Sequence, residues 1–130
     1  MSNYLNTYPA CEAGSSLAAL QYHIVRFSGA RQVNLAIAPL SSGIAGVLQN
    51  KPGLGEFASV AYGGVSKVIA GGAITANDLI MTSTSGRAIV VTSGTAPANI
   101  VIGRALEAAG ADGDIIKAFL FPPVRWAGAP

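Results

Sequence analysis

Charge is scarce in this sequence. Lys, Arg, Asp and Glu make up 11% of its 130 residues, against about 25% in an ordinary soluble domain. A compact monomer of 13.1 kDa exposes roughly 6,400 Å² by the usual area scaling. The 8 basic and 6 acidic side chains then stand about one per 450 Å² of that surface. Such thin cover implies either a surface of Ser, Thr, Asn, Gln and backbone, or a chain that hides much of its area against others. The basic residues, Arg26, Arg31, Lys51, Lys67, Arg87, Arg104, Lys117 and Arg125, fall almost singly. With a net charge of only +2 they form no basic cluster laced with aromatics, so nucleic acid is not an expected partner.

Other scarcities exclude whole classes of chemistry. One cysteine, Cys11, rules out an internal disulfide framework and a cysteine-rich metal site. One histidine, His23, excludes a multi-histidine metal centre, and a triad built on it would need Cys11 or a serine as nucleophile with an Asp or Glu to orient it, for which no local motif speaks. No apolar run is long enough to cross a bilayer, because Gly, Ser and Thr interrupt each one. The opening "MSNYLNTYPACEAGSS" has neither a basic start nor an apolar core, so a secretion leader is not expected. The expectation is a soluble chain without a membrane partner.

What the sequence does have is short strands. "LQYHIVRF" (20–27), "QVNLAIAPL" (32–40), "SGIAGVLQN" (42–50), "FASVAYGG" (57–64), "VSKVIA" (65–70), "GRAIVVTS" (86–93), "ANIVIGRALEA" (98–108) and "DIIKAFLF" (114–121) each alternate or run apolar between turn residues. Helix propensity favours "IGRALEAAG", but Ile100 and Ile102 carry a strand period, and the segment is read as strand. "GGAITANDLI" (71–80) reads as a sharp corner, a single turn closed by Thr75 and Asp78, and a return strand. Positive φ is expected at Gly71 and Gly72. "KPGLGE" (51–56) is a loop. Close, even spacing of short strands indicates an all-β fold, a small β-barrel. The expected division is an extended N-terminal arm over 1–19, the barrel over 20–121 and a tail over 122–130, with Pro122 and Pro123 ending the last strand.

No catalytic constellation emerges. There is no G-x-S-x-G elbow and no protease cysteine motif. His23 sits in an apolar strand, where a satisfied structural role is expected. Asp112 and Asp114 flank Gly113 as a turn, without the further ligands of a calcium loop. "KPGLGE" and "YGGVSK" lack the spacing of a phosphate loop. Glu56, Asp78 and Glu107 make a paired-carboxylate site only if the fold brings two of them together. No enzyme activity, metal or cofactor is expected. In the tail, Arg125 and Trp126 are residue types enriched at interface hot spots, the alternative being a Trp folded back over the barrel mouth.

The ordered run from "GVLQNKPGLGEF" through "AYGGVSKVIAGGAITANDL" to "IGRALEAAGADGDIIKAFL", about Gly46 to Leu120, resembles the small capsid cement, or head-decoration, proteins of tailed bacteriophages. The resemblance implies a non-enzymatic β-barrel, made in the host cytoplasm, that assembles as a homotrimer on the exterior of an icosahedral head and bridges major capsid protein subunits. On that reading Tyr4, Tyr8 and Pro9 in the arm, and Arg125 and Trp126 in the tail, are the expected capsid or subunit contacts. Deleting Met1 to Ser15 is expected to leave a folded trimer that no longer binds capsids. Val60, Val68, Ile69, Ile89, Val91, Ile100, Ile102, Ile115 and Phe119 are expected to divide between barrel interior and subunit seam. "AGGAITANDL" is also similar to the corner of β-clip domains, some of which bind sugar acids. A small-molecule module of that kind, using Asp78 or Glu107, and a tail or baseplate structural protein stay open as alternatives.

Overall fold

The structure is a computed structural model that describes residues 5–8, 11–36, 43–91 and 99–126, with backbone only for Asn99 and 122–126. Its strands are β1 (Leu5–Thr7), β2 (Glu12–Ala13), β3 (Ile24–Gly29), β4 (Gln32–Leu35), β5 (Ile44–Leu48), β6 (Val60–Ile69), β7 (Leu79–Thr82), β8 (Ala88–Val90), β9 (Asn99–Ala105) and β10 (Ile115–Trp126). No helix occurs among the described residues, so the all-β class holds and the helical option for Ile102–Gly110 is discarded. The strands form one sheet in the order β2-β4-β3-β5-β6-β10-β9-β7-β8, with β1 paired to β6 off that path. The ladder of the expected barrel is not closed among these residues. The sheet instead curls until its β8 end returns to β6, through an Ala70–Ala88 bridge and a Gly71 N–H to Ala88 C=O bond of 2.7 Å.

Two sequence boundaries vanish in the structure. "FASVAYGG" and "VSKVIA" are not separate strands: β6 runs unbroken through Gly63 and Gly64. Ala61, Val68 and Ala70 line the same core, so the odd–even alternation changes phase between 61 and 68. Gly64, at φ +92°, sits in that interval and supplies the left-handed kink that such a bulge requires. The last strand likewise continues past Pro122 and Pro123 to Trp126. Its pairing with β9 breaks after Leu120–Gly103 and resumes at Val124–Val101. The two prolines, which have no N–H to give, fall inside that gap. Beyond Leu120, β10 no longer pairs with β6, and β1 occupies β6 at Ala61, Gly63 and Gly64.

The first strand expected, at Leu20–Phe27, starts only at Ile24. Leu20–His23 is a turn, with the His23 N–H bonded to the Leu20 carbonyl at 3.0 Å. Tyr22 adopts φ +68°, outside any strand conformation.

Packing forms two cores because β5, and β3 at Ile24–Val25, are buried on both faces. Ile24, Ile44, Val47, Val68, Ile80, Ile102 and Leu120 belong to one cluster. Val25, Val33, Ala45, Leu48, Ala58 and Val60 face the other way and join Cys11, Ala13 and Leu17. The described part of the expected extended arm, residues 5–8 and 11–17, therefore lies on the chain's own sheet, with Cys11, Ala13 and Leu17 closing the second core. Its backbone is held there by Tyr8 N–H to Val60 C=O, Ala13 N–H to Glu56 C=O and Gly14 N–H to Val33 C=O, at 3.0, 2.9 and 2.8 Å. Full burial of a leucine such as Leu17, 1% exposed, is worth about 1.5–3 kcal/mol.

The Gly71–Ile80 corner is a strand exit, a turn and a return strand. Asp78 Oδ2 accepts the Thr75 N–H at 2.9 Å, and the Asp78 N–H bonds the Thr75 carbonyl at 3.1 Å. The positive-φ residue is Asn77, at 78°, not either glycine. Gly71 has a different role: a Cβ there would stand 3.0 Å from the Arg87 Cβ and 3.2 Å from Ile89 Cγ2. Asp78→Ala removes the turn's side-chain acceptor and is expected to lower stability by about 0.5–2 kcal/mol, as loss of a comparable cap does. Chemical denaturation of the variant measures it.

Candidate functional site

Five of the six side-chain carboxylates are engaged in structure. Glu56 Oε1 accepts the Gly53 N–H at 2.6 Å, Asp78 caps its own turn, and Glu107 Oε2 accepts the Lys117 N–H at 2.7 Å. Asp78 and Glu107 lie at the same end of β7 and β9, since the Ala105 N–H bonds the Asp78 carbonyl. Their carboxylates nevertheless serve different backbone amides. Asp114 Oδ2 accepts from Gly110 and Ala111 N–H groups, and Gly113 takes φ +98°, as the expected Asp-Gly turn requires. Asp112 pairs with Arg87 at 2.7 Å. Among the described residues no group of three or more His, Cys, Asp and Glu is placed to hold a metal ion. Cys11 is buried, and burial pushes its thiol pKa up, away from the reactive thiolate.

His23 is 5% exposed with Nδ1 3.3 Å from the Gln21 carbonyl. Burial is the chief cause that lowers its pKa below the usual 6.5, and the nearby Arg87 charge acts in the same direction. The folded chain thus holds this imidazole neutral where the unfolded chain binds a proton. Its contribution to stability is present above about pH 6.5 and is lost as pH falls from there through the lowered folded pKa. Melting curves at pH 7.5 and 5.5 are expected to show the lower Tm at pH 5.5, with a smaller difference in His23→Gln.

The residues expected at contacts have unequal surroundings. Tyr4 and Pro9 lie outside the described residues. Tyr8 is half-buried, with its ring centroid 5.2 Å from Phe27 and 4.6 Å from Tyr62. Burial, then Tyr62 and Cys11, raises its phenol pKa. Arg125 and Trp126 extend β10, opposite Ile100 and Asn99 of β9. Tyr8 and the Arg125–Trp126 pair therefore sit on different ladders.

The outward face of β6 and β10 holds what sequence reasoning missed. Ile115, Lys117 and Phe119 alternate outward while Ile116, Ala118 and Leu120 point into the core. They stand opposite Ile69, Lys67 and Val65. Ile115 and Phe119 are 54% and 49% exposed. The expected interior-or-seam group thus divides: Val60, Val68, Ile100 and Ile102 are buried, Ile69, Ile89 and Val91 half-buried, and Ile115 and Phe119 outside. Beside the lysines lies an open pocket of about 170 Å³ lined by Tyr22, Gln49, Val65, Ser66, Lys67 and Lys117. Gln49 Nε2 donates to Ser66 Oγ at 2.8 Å and fixes its floor. Neither Asp78 nor Glu107 lines it. In sequence the two lysines are 50 positions apart in unrelated strands, and only the ladder register sets them face to face.

Residues 18–120 match the profile of the phage cement protein family, which is most of the chain. It belongs to that family. The match starts at Ala18, before the Gly46 at which the recognisable motif begins, and so takes in the first core strands as well. This cement-family fold is also similar to a solved structure, head fiber gp8.5 N base in bacteriophage phi29. The TM-score is 0.63 at 19% identity, over 90% of this chain and 94% of that one. At that identity the likeness is one of fold. No match is found among curated proteins.

Proposed function

We propose that this chain is a structural protein of a phage head that docks as a homotrimer on the outer capsid surface and bridges neighbouring major capsid protein subunits. The observation that carries the reading is the family match across 18–120. The sparse charge supports it, since a subunit that loses surface to neighbours needs little charge to stay dispersed. The exposed Ile115 and Phe119 supply apolar area in the middle of a sheet face. Contacts from the ends of the chain, Tyr4, Tyr8 and Pro9 at one and Arg125 and Trp126 at the other, add to this surface in the proposal. Tyr8 contributes through the aromatic cluster it forms with Phe27 and Tyr62.

The physical logic is multiplication of weak contacts. A trimer that engages the shell at one subunit presents the other two at high effective concentration, so modest contacts sum to firm attachment without an active site. Purified chain is expected to sediment as a trimer at micromolar concentration. It should then pellet with heads assembled without it and raise the temperature at which those heads release DNA. A monomer that stays in the supernatant would remove the proposal.

A further inference from the structure

The outward face of β6 and β10 carries two lysines that no acidic group among the described residues neutralises. Lys67 and Lys117 stand directly opposite each other in the antiparallel register, both exposed. Like charges in that position weaken a ladder. Lysines commonly guard the edges of sheets, but β6 and β10 are interior to the strand order, so edge protection is not their purpose. Neither makes an ion pair among the described residues. Glu107 reaches the backbone N–H of Lys117 rather than its ammonium.

Lys67 is held from one side. The Lys67 ammonium lies 5.8 Å from the centre of the Tyr22 ring, within range of a cation–π contact. Tyr22 reaches that position at φ +68°, a genuine outlier for a bulky residue. It is locked there by its N–H to the Leu48 carbonyl and its carbonyl to the Ile69 N–H, at 2.7 and 3.1 Å. Backbone held in such a conformation collects at binding sites. Around the lysines, Phe119 and Ile115 give an apolar rim. The arrangement is two cations at a small open pocket inside a hydrophobic border, which suits a carboxylate carried on an otherwise apolar surface.

No side chain among the described residues supplies that carboxylate. Glu56, Asp78, Glu107 and Asp114 each hold backbone amides, and Asp112 holds Arg87. Glu12 is on β2, at the far end of the strand order. Building on the head-docking reading above, we propose that the Lys67–Lys117 face is the docking surface for the capsid shell. In it an Asp or Glu side chain of the shell protein inserts between the two ammonium groups, and apolar shell residues cover Ile115 and Phe119.

The test is a double variant, Lys67→Gln with Lys117→Gln, measured for head binding, oligomer mass and Tm. Relief of the mutual repulsion offsets loss of the Lys67–Tyr22 contact, so Tm is expected to stay within a few degrees and the oligomer mass unchanged. Binding to heads should weaken at least about tenfold. Raising salt should weaken the unsubstituted chain more steeply than the variant. The Lys67→Arg with Lys117→Arg variant keeps both charges and is expected to retain binding. Head binding within twofold of the unsubstituted chain would overturn the proposal. So would a change in oligomer mass, which would assign the face to contacts between copies. If the unsubstituted chain itself fails to bind heads, the head-docking reading falls and this proposal with it.

Discussion

Gly46→Ala is expected to cost about 3 kcal/mol or more and to lower Tm by roughly 10 °C or more. The residue lies in the middle of β5, which is buried along its whole length. An added Cβ would stand 2.0 Å from the Ala61 carbonyl oxygen and 2.9 Å from its carbon. Both are backbone atoms of β6, so no side chain can swing aside. The neighbouring pair Val47–Ala61 would have to open, and with it the seam between the two halves of the sheet. Gly72→Ala is the control: a Cβ there meets nothing within 4 Å, and its Tm should stay within a degree or two of the parent. Similar melting curves for both variants would mean that β5 and β6 are not packed as described.

Deleting residues 1–15 is expected to abolish the cooperative unfolding transition. This replaces the expectation, drawn from the family resemblance, that the chain without Met1 to Ser15 still folds. The deletion takes Cys11 and Ala13 out of the second core and Tyr8 off its edge. It also removes the acceptors of the Ala58 and Gly55 N–H groups, which bond the Cys11 and Ala13 carbonyls at 2.9 Å. Val25, Val33, Ala45 and Val60, each 0% exposed, would then face water. Losing one lid of a core and several ladder bonds is comparable to the about 5–15 kcal/mol by which a domain is stable at all. Dye binding and a broad, non-cooperative melt are the expected readouts. A sharp transition within about 5 °C of the full chain would show that the lid contributes little. Because the deletion damages the body, it is a poor probe of capsid contact, and point variants on the exposed face serve better.

How much was legible follows from which signals are local. Ile100 and Ile102 marked β9 as strand against its helix propensity, because side-chain period is written in adjacent residues. The Thr75–Asp78 turn was legible for the same reason, its acceptor being three positions from its donor. The breaks at Gly63–Gly64 and Pro122–Pro123 misled because such residues punctuate isolated strands. Inside a sheet they can serve as a bulge, or as a gap where no donor is needed. The N-terminal segment read as an arm because its apolar residues, Cys11, Ala13 and Leu17, have no strong period. Their burial depends on β3, β4 and β5, which follow later in the chain. The Lys67–Lys117 pair was invisible for a related reason: register between distant strands is a tertiary property. Tyr22 in a left-handed conformation carried no sequence signal, since Gly or Asn is the usual occupant.

The account is tested most directly by an electron-microscopy reconstruction of phage heads to which the purified chain has been added. It predicts three-subunit density on the outer shell, with the β6–β10 face turned towards the capsid and an acidic shell residue beside Lys67 and Lys117. Bare heads, or the same density found only on the tail, would contradict it.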